Sequence, residues 1–227
     1  MNKFELNLKK YFRPYKYKLI NSLFIKGKEL KVLDVGCGAR ARDIANFSMK
    51  LKCFDGVDNQ IWHDDQESYS GIDTFYDIDL ETQDLSLIPD GYYDVIIVSH
   101  LIEHINNGEI VINSLCAKLN IGGVIYIETP SPRTFNLPSA IGFANFYDDK
   151  THKRMYFPHE IINVLVRPGF QVLKFGIRRD PIRMFIFSPI MIFLNALYYL
   201  PIRRKANFKG LWDLFGVAQF WCARRLK

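Results

Sequence analysis

The sequence predicts an α/β fold on a mostly parallel sheet with helices on both faces, and three observations predict it. Short apolar runs alternate with helical stretches from residue 28 to about 177, a rhythm that demands crossover connections between strands. The run Tyr93-Asp94-Val95-Ile96-Ile97-Val98-Ser99 reads as a central strand buried on both faces. Polar residues, namely Asp34, Asp58, Asp79 and the pair Ser99-His100, stand where apolar runs stop. The carboxyl ends of such strands are where ligands bind.

The elements follow in order. Phe4, Leu8, Phe12, Tyr15, Leu19 and Leu23 recur at helical spacing, so residues 1–27 are expected to form an amphipathic helical extension, broken near Pro14, that packs on the sheet or covers a cleft. Strands are expected at 30–35, 52–57, 74–78, 93–99 and 124–128, with helices from about Ala39 and over 107–119. Pro158 fits the first turn of a further helix to about Val166, and Gly169-Phe170 turns into a sixth strand at 171–177. The domain limits are therefore 1–27 for the extension, 28–179 for the core, 180–210 for an apolar helical insertion and 211–227 for a final strand.

At 227 residues and 48% hydrophobic, the chain buries one sizeable core. Cys37, Cys53, Cys116 and Cys222 form no CxxC pair, which argues against a zinc knuckle or a disulfide framework and for a reduced, cytoplasmic setting. Met1-Asn2-Lys3-Phe4-Glu5 has no apolar leader core, in keeping with that expectation. The net charge of +6 is segregated: no Lys or Arg lies between Asp55 and Glu109, whereas residues 178–227 carry ten basic side chains against Asp180 and Asp213. A basic tail suits nucleic acid, anionic lipid or water. Nucleic acid is the poorest of these, because the cations are interleaved with greasy residues instead of forming a polar stripe with exposed aromatics.

Val32-Leu33-Asp34-Val35-Gly36-Cys37-Gly38 ends an apolar strand in an acid and two glycines. Such a turn lets backbone N–H groups approach a ligand without a Cβ in the way. Gly36-x-Gly38-x-x-Ala41, with Asp58 about 20 residues on, also fits the dinucleotide fingerprint. A nicotinamide cofactor, however, accounts neither for Asp34 ahead of the glycines nor for His100-x-x-Glu103-His104 after the fourth strand.

These residues resemble the class I methyltransferases that depend on S-adenosylmethionine. The resemblance covers roughly residues 28–175 and rests on four blocks: 32–38, 92–104, Leu119-Asn120-Ile121-Gly122-Gly123, and Thr151-His152 through Pro168-Gly169-Phe170. It implies a Rossmann-like sheet of seven strands, the last, here 217–223, inserted antiparallel. It also implies roles. Gly36, Cys37 and Gly38 would pass close to the methionine part of the cofactor, and Asp34 would orient the loop or the cofactor's amino group. Asp58, with Asn59 beside it, would accept hydrogen bonds from the ribose hydroxyls, two donors matching two oxygens. Asp79, followed by Leu80, would take the adenine amino group, with Asp77 as a rival. Ser99 and His100 would line the site beneath the sulfonium.

Methyl transfer to a hydroxyl needs alignment and a base. Histidine is the natural base near neutral pH, and the candidates are His100, His104 and His152. Glu103 and His104 equally suit a structural role at the strand-to-helix junction. In the small-RNA 2′-O-methyltransferases and the ubiquinone-pathway O-methyltransferases, a similar Glu-x-x-Glu-His block with a later His looks like a divalent-metal site. Here His100 replaces the first carboxylate, which suits zinc or iron better than magnesium. Metal-assisted methylation of another small molecule or of RNA is therefore the alternative reading, and a cofactor-binding protein without catalysis is the competing class.

Residues 130–154 form a long connection rich in aromatic and small residues, a natural substrate lid. Asp149-x-Thr151-His152 within it resembles a segment of bacterial methyltransferases acting on surface polysaccharides, which implies a small-molecule or glycan acceptor, such as a sugar or a lipid-linked intermediate of the cell envelope. Arg133, Lys153 and Arg154 would suit a phosphate or carboxylate on it. Residues 184–200 are almost wholly apolar, divided by Pro189 and bracketed by Arg178, Arg179 and Arg183 before and Arg203, Arg204 and Lys205 after. That stretch falls short of the ~20 residues of a bilayer span. Residues 180–205 are expected either to lie on an anionic membrane surface, on the inner face of the cell membrane, or to pack on the lid or on a second copy in a homodimer.

Overall fold

The computed structural model describes residues 13–38, 45, 48–59, 71–82, 84–139, 145–181, 183–190, 192–193 and 211–227. Seven strands form one sheet: β1 (Leu30–Val35), β2 (Leu51–Asp58), β3 (Phe75–Asp77), β4 (Tyr93–Ser99), β5 (Leu119–Pro130), β6 (Phe170–Ile177) and β7 (Ala218–Arg225). Their order is β3-β2-β1-β4-β5-β7-β6, with β1 to β5 parallel and β7 antiparallel to both neighbours. The expected α/β architecture is present. The order reverses between β1 and β4, so Val35 and Ser99 end side by side at the switch point where such sheets bind ligands.

Alternation along the strands fills two cores. On one face Val32, Phe54, Val95, Ile97, Tyr126 and Phe220 meet Tyr17 and Ile20 of α1 (Tyr15–Ser22). On the other, Leu33, Ile96, Val98 and Ile125 meet Ile112 and Leu115 of α2 (Gly108–Lys118) and Ile161 and Leu165 of α3 (Pro158–Leu165). The leading helix is thus a wall of the core, Tyr17 and Ile20 being buried, and it starts directly after Pro14. Residues 1–12, and with them Phe4, Leu8 and Phe12, lie outside the described residues, as do 39–44 of the helix expected after Gly38 and the whole segment 194–210.

Two boundaries differ from expectation. β5 begins at Leu119, ahead of Gly122-Gly123, because Tyr93 of β4 already pairs with Leu119 across a register shift. α4 (Trp212–Phe215) precedes β7 and is closed by Gly216, whose φ of 65° is left-handed. Ser131 Oγ donates to the Gly216 carbonyl at 2.5 Å, and Gln219 Nε2 donates to Pro130 O at 3.0 Å and Tyr156 O at 2.6 Å. These bonds fasten the lid connection to the closing strand.

Candidate functional site

A cavity of about 660 Å³ lies at the carboxyl ends of β1, β2 and β4, walled by Gly36, Gly38, Asp58, Asn59, Asp79, Leu80, His100 and His104, with Leu101, Thr151 and Lys153. Its size suits a nucleoside-bearing cofactor. The glycines shape it differently. Gly36 has φ 70°, and a Cβ there would come within 2.9 Å of Leu101 Cδ1. Gly38 has φ 54°, and none of the described residues comes within 4 Å of a Cβ position there, so its bare face is open toward the cavity it lines. The expected free N–H cradle is not what forms: Gly36 and Cys37 donate to Val57 O at 2.7 and 3.3 Å, and Gly38 donates to Asp58 Oδ2 at 3.1 Å. The loop is tied to the end of β2, leaving side-chain oxygens and the open Gly38 surface to face the cavity.

Asp58 also takes the Asn59 N–H at 2.9 Å on Oδ1. Asp79 caps its own turn, accepting from Glu81 N at 3.0 Å and Thr82 Oγ1 at 2.9 Å, which holds its carboxyl below the ordinary range. Of the expected cofactor residues, Asp34, Cys37 and Ser99 do not line this cavity. Cys37 turns its thiol into the core against Gly56, and burial pushes that thiol up to about 12. Asp34 is buried beneath the loop, and burial raises its carboxyl to about 6, with Lys16 opposing and Asp58 adding to the rise. Ser99 lines a smaller cavity of about 170 Å³ with Lys16, His100, Glu128, Arg178 and Arg183.

His100 stands at the centre. It is the non-glycine residue with positive φ, 54°, among the described residues, a conformation that costs on the order of 1 kcal/mol or more and swings its ring off the end of β4. Its Nδ1 lies 3.3 Å from Glu103 Oε1 and its Nε2 3.1 Å from Glu128 Oε1, while Arg178 Nη1 reaches the same Glu128 oxygen at 2.7 Å. Tyr126 donates to Glu128 Oε2, and Arg178 Nε donates to Asp213 Oδ1 at 3.2 Å. Burial opposes charge on His100, but hydrogen bonds to the two carboxylates and their charges outweigh it and raise its pKa to about 9. Burial would likewise raise Glu128, yet Arg178, His100 and Tyr126 bring it down to about 2. The pair is an imidazolium between carboxylates.

A third cavity, about 270 Å³, sits under the lid, lined by His100, Glu103, His104, Thr134, Asn145, Phe146, Asp149, His152 and Trp212 among others. Asn145 shapes this part of the lid by donating from Nδ2 to Leu137 O at 2.6 Å and capping the turn at Phe146–Asp148. Phe146 stacks on His152 at 4.5 Å between centroids, and His152 Nδ1 lies 2.7 Å from Phe146 O. A carbonyl only accepts, so His152 carries its proton on Nδ1 and keeps Nε2 as a lone pair when neutral. One ligand atom each from Glu103, His104 and His152 lie within 4.8 Å of one another, and Glu103 Oε2 is buried with no hydrogen-bond partner among the described residues. One carboxylate and two imidazoles make a donor set of zinc or iron type.

The sequence reading missed Glu128, Arg178, Trp212 and Asp213. Glu128 and Arg178 obey the strand-end signal that singled out the other acids, standing near the end of β5 and directly after β6. The cations expected to meet an anionic acceptor are largely spent: Lys153 pairs with Glu81 at 2.7 Å, and Arg154 with Glu109 at 2.8 Å and with Glu160. Two of the tail cations are engaged as well: Arg224 donates to Leu23 O at 2.7 Å and Arg225 to Leu119 O at 2.6 Å.

Comparison with known proteins agrees with this layout. A family described as a methyltransferase domain matches residues 8–174. No curated protein sequence matches the chain. Among solved structures, an S-adenosylmethionine-dependent methyltransferase from Mesorhizobium loti superposes with a TM-score of 0.60 at 14% identity, over 95% of this chain and 100% of that one. The N-methyltransferase NodS from Bradyrhizobium japonicum, holding S-adenosylhomocysteine, gives 0.55 at 12% identity, over 98% and 97%. The plantazolicin methyltransferase BamL, with a substrate analogue and S-adenosylhomocysteine, gives 0.57 at 14%, over 98% and 84%. At such identities the structures speak for the fold, while the family match speaks for the chain: it belongs to the methyltransferase-domain family and is a class I, S-adenosylmethionine-dependent methyltransferase.

Proposed function

We propose that the chain methylates a hydroxyl oxygen of a sugar, a glycan or a lipid-linked intermediate of cell-envelope synthesis. One observation carries the reading: the cofactor cavity and the lid cavity share His100 and His104, and the lid cavity adds His152. A hydroxyl, unlike a neutral amine, must lose a proton as it attacks, and imidazole nitrogens at that junction are the groups to take it. Both His100 nitrogens are committed to carboxylates, so the task falls to His104 or His152. The small lid cavity, with Phe146 and Trp212 for the ring and Asn145 and Asp149 for hydroxyls, suits a sugar.

The residues fit the donor. Asp58 and Asp79 would face the ribose and adenine, Gly38 would let them pass, and Asp34, buried beneath the loop one residue before β1 ends, would act on the ammonium of the amino-acid part by its charge through the loop. When bound, S-adenosylmethionine supplies a methyl group on a positively charged sulfur. The exposed Phe185, Ile186, Ile190, Ile192 and Phe193, next to Arg183 on the rim of the Ser99 cavity, support docking on an anionic membrane surface from the cytoplasmic side. Among the described residues no helix is long and apolar enough to cross a membrane. The test is a labelled-methyl transfer screen over cell-envelope extracts and free sugars. Label appearing on amines or nucleic acid alone overturns the reading.

A further inference from the structure

The lid meets His104 through one side chain. Thr151 Oγ1 lies 2.9 Å from His104 Nδ1 and 2.6 Å from Asp149 Oδ1, and the Thr151 N–H reaches the same Asp149 oxygen at 2.9 Å. The donors can be assigned. A hydroxyl has one hydrogen, and a carboxylate only accepts, so Thr151 Oγ1–H points to Asp149. The hydroxyl oxygen must then accept from His104 Nδ1–H. For a neutral ring this leaves Nε2 as the lone pair. Burial would raise Asp149, but its two bonds from Thr151, with the charges of His152 and His104, hold it below the ordinary range, so it stays an anion.

The placement is what gives this chain a use. His104 lines both the cofactor cavity and the lid cavity, Thr151 lines the former and Asp149 the latter. The other shared residue, His100, has no nitrogen to spare. We propose that Asp149 and Thr151 are positioning residues that hold His104 in the Nδ1–H tautomer, with Nε2 turned to the acceptor as its proton-accepting atom. The proposal deepens the hydroxyl-methylation reading and rests on it for the role of Nε2. In the step, the acceptor O–H bond breaks and its proton goes to Nε2, the oxygen takes the methyl group, and the S–C bonding pair returns to sulfur. The new imidazolium charge is answered by Asp149 through the Thr151 hydroxyl, and the proton later leaves to water. Because Asp149 and Thr151 belong to the lid and His104 to the β4–α2 junction, the base is set only when the lid is seated.

The test has two arms. Nitrogen-15 NMR of histidine rings in the full chain with S-adenosylhomocysteine, with His104 assigned by loss of its signal in His104→Gln, is expected to show Nδ1 protonated in the neutral ring. Thr151→Val is expected to move that proton toward Nε2, and Thr151→Ser to keep it. With a hydroxyl acceptor, Thr151→Val and Asp149→Asn are expected to lower kcat about 10–100-fold with the KM for the methyl donor unchanged, within the ~10²–10⁴ that a general base contributes. Thr151→Ser is expected to stay within about threefold of the parent. An Nε2-protonated neutral His104 in the parent chain, or an unchanged kcat in folded Thr151→Val, overturns the proposal. The NMR arm needs no acceptor, so a failed hydroxyl reading and a failed relay give different results.

Discussion

His100 Nε2 lies 3.1 Å from Glu128 Oε1, and that oxygen also receives Arg178 Nη1 at 2.7 Å. With Glu103 on the other ring nitrogen, the imidazolium is held to a pKa of about 9 against an ordinary value of 6.5. A raised pKa means that the folded state binds the proton more tightly, so its contribution is full below pH 6.5 and is lost as pH rises through 9. Glu128, near 2, does not titrate in that window. The parent chain is expected to lose on the order of 1 kcal/mol between pH 6.5 and 9.5, solvent reaching about 31% of the His100 side chain and screening the rest. Denaturant midpoints at the two pH values measure it, and in His100→Gln the difference is expected to shrink. An equal slope in parent and variant refutes the assignment.

Asp34→Asn separates stability from binding. The Asp34 carboxyl, raised to about 6 chiefly by burial, is a charge held at a cost above that pH. Its stability falls as pH rises from the ordinary 3.8 through 6, so above pH 6 the neutral amide is expected to raise the melting temperature. The same change removes the buried charge that would attract the cofactor's ammonium through the loop. Calorimetry with S-adenosylhomocysteine at pH 7.5 is expected to show about a tenfold loss of affinity, an opposite charge behind the cavity wall being worth on the order of 1–2 kcal/mol. Full affinity in the variant removes Asp34 from the cofactor site.

Gly36→Ala and Gly38→Ala are expected to fail in different ways. Both glycines are left-handed, which costs an L-residue about 1–2 kcal/mol. At Gly36 the new methyl also meets Leu101 Cδ1 at 2.9 Å, so thermal stability falls by more than that. At Gly38 the methyl meets none of the described residues, so the fold is expected to lose little beyond the backbone cost while affinity for S-adenosylhomocysteine drops. Equal melting temperatures in the two variants contradict this division.

How much was legible follows from what each signal is made of. Strands β1 and β4 are legible to the residue because a doubly buried strand is apolar along most of its length and ends where the polarity changes. The acids of the cofactor cavity were legible for the same reason. Glu128 carries the same signal near the end of β5 but has no histidine or glycine beside it to set it apart, and in sequence Arg178 is indistinguishable from tail charge although it is a buried counter-ion. No local pattern tells a cation that faces water from one paired with an acid 50 positions away. The direction of the loop N–H groups was illegible too, since it depends on where Val57 O ends up in the neighbouring strand.

The exposed apolar surface near Arg183 yields a binding prediction. Phe185 is 76% and Phe193 63% exposed, so replacing both by Ser removes apolar contact area without opening the core. The parent chain is expected to float with vesicles containing phosphatidylglycerol and not with phosphatidylcholine alone, to detach as salt is raised, and to lose flotation in Phe185→Ser/Phe193→Ser. A parent chain that ignores both vesicles but doubles its mass in solution assigns this surface to a second copy.

The cluster of Glu103, His104 and His152 leads to a prediction about metal. If His104 Nε2 takes a proton from the acceptor, an ion bound there would compete for that lone pair. Turnover is therefore expected to survive exhaustive chelation. Added zinc, which suits two imidazoles and a carboxylate, is expected to inhibit, and magnesium, which prefers oxygen ligands, to do nothing. His152→Gln removes one of the three donors and is expected to weaken zinc inhibition while leaving the Thr151 contact to His104 in place. Activity abolished by chelation and restored by zinc reverses the assignment, giving the ion, and not His104, the task of activating the hydroxyl. Glu103 Oε2, which has no hydrogen-bond partner among the described residues, would then be one of its ligands.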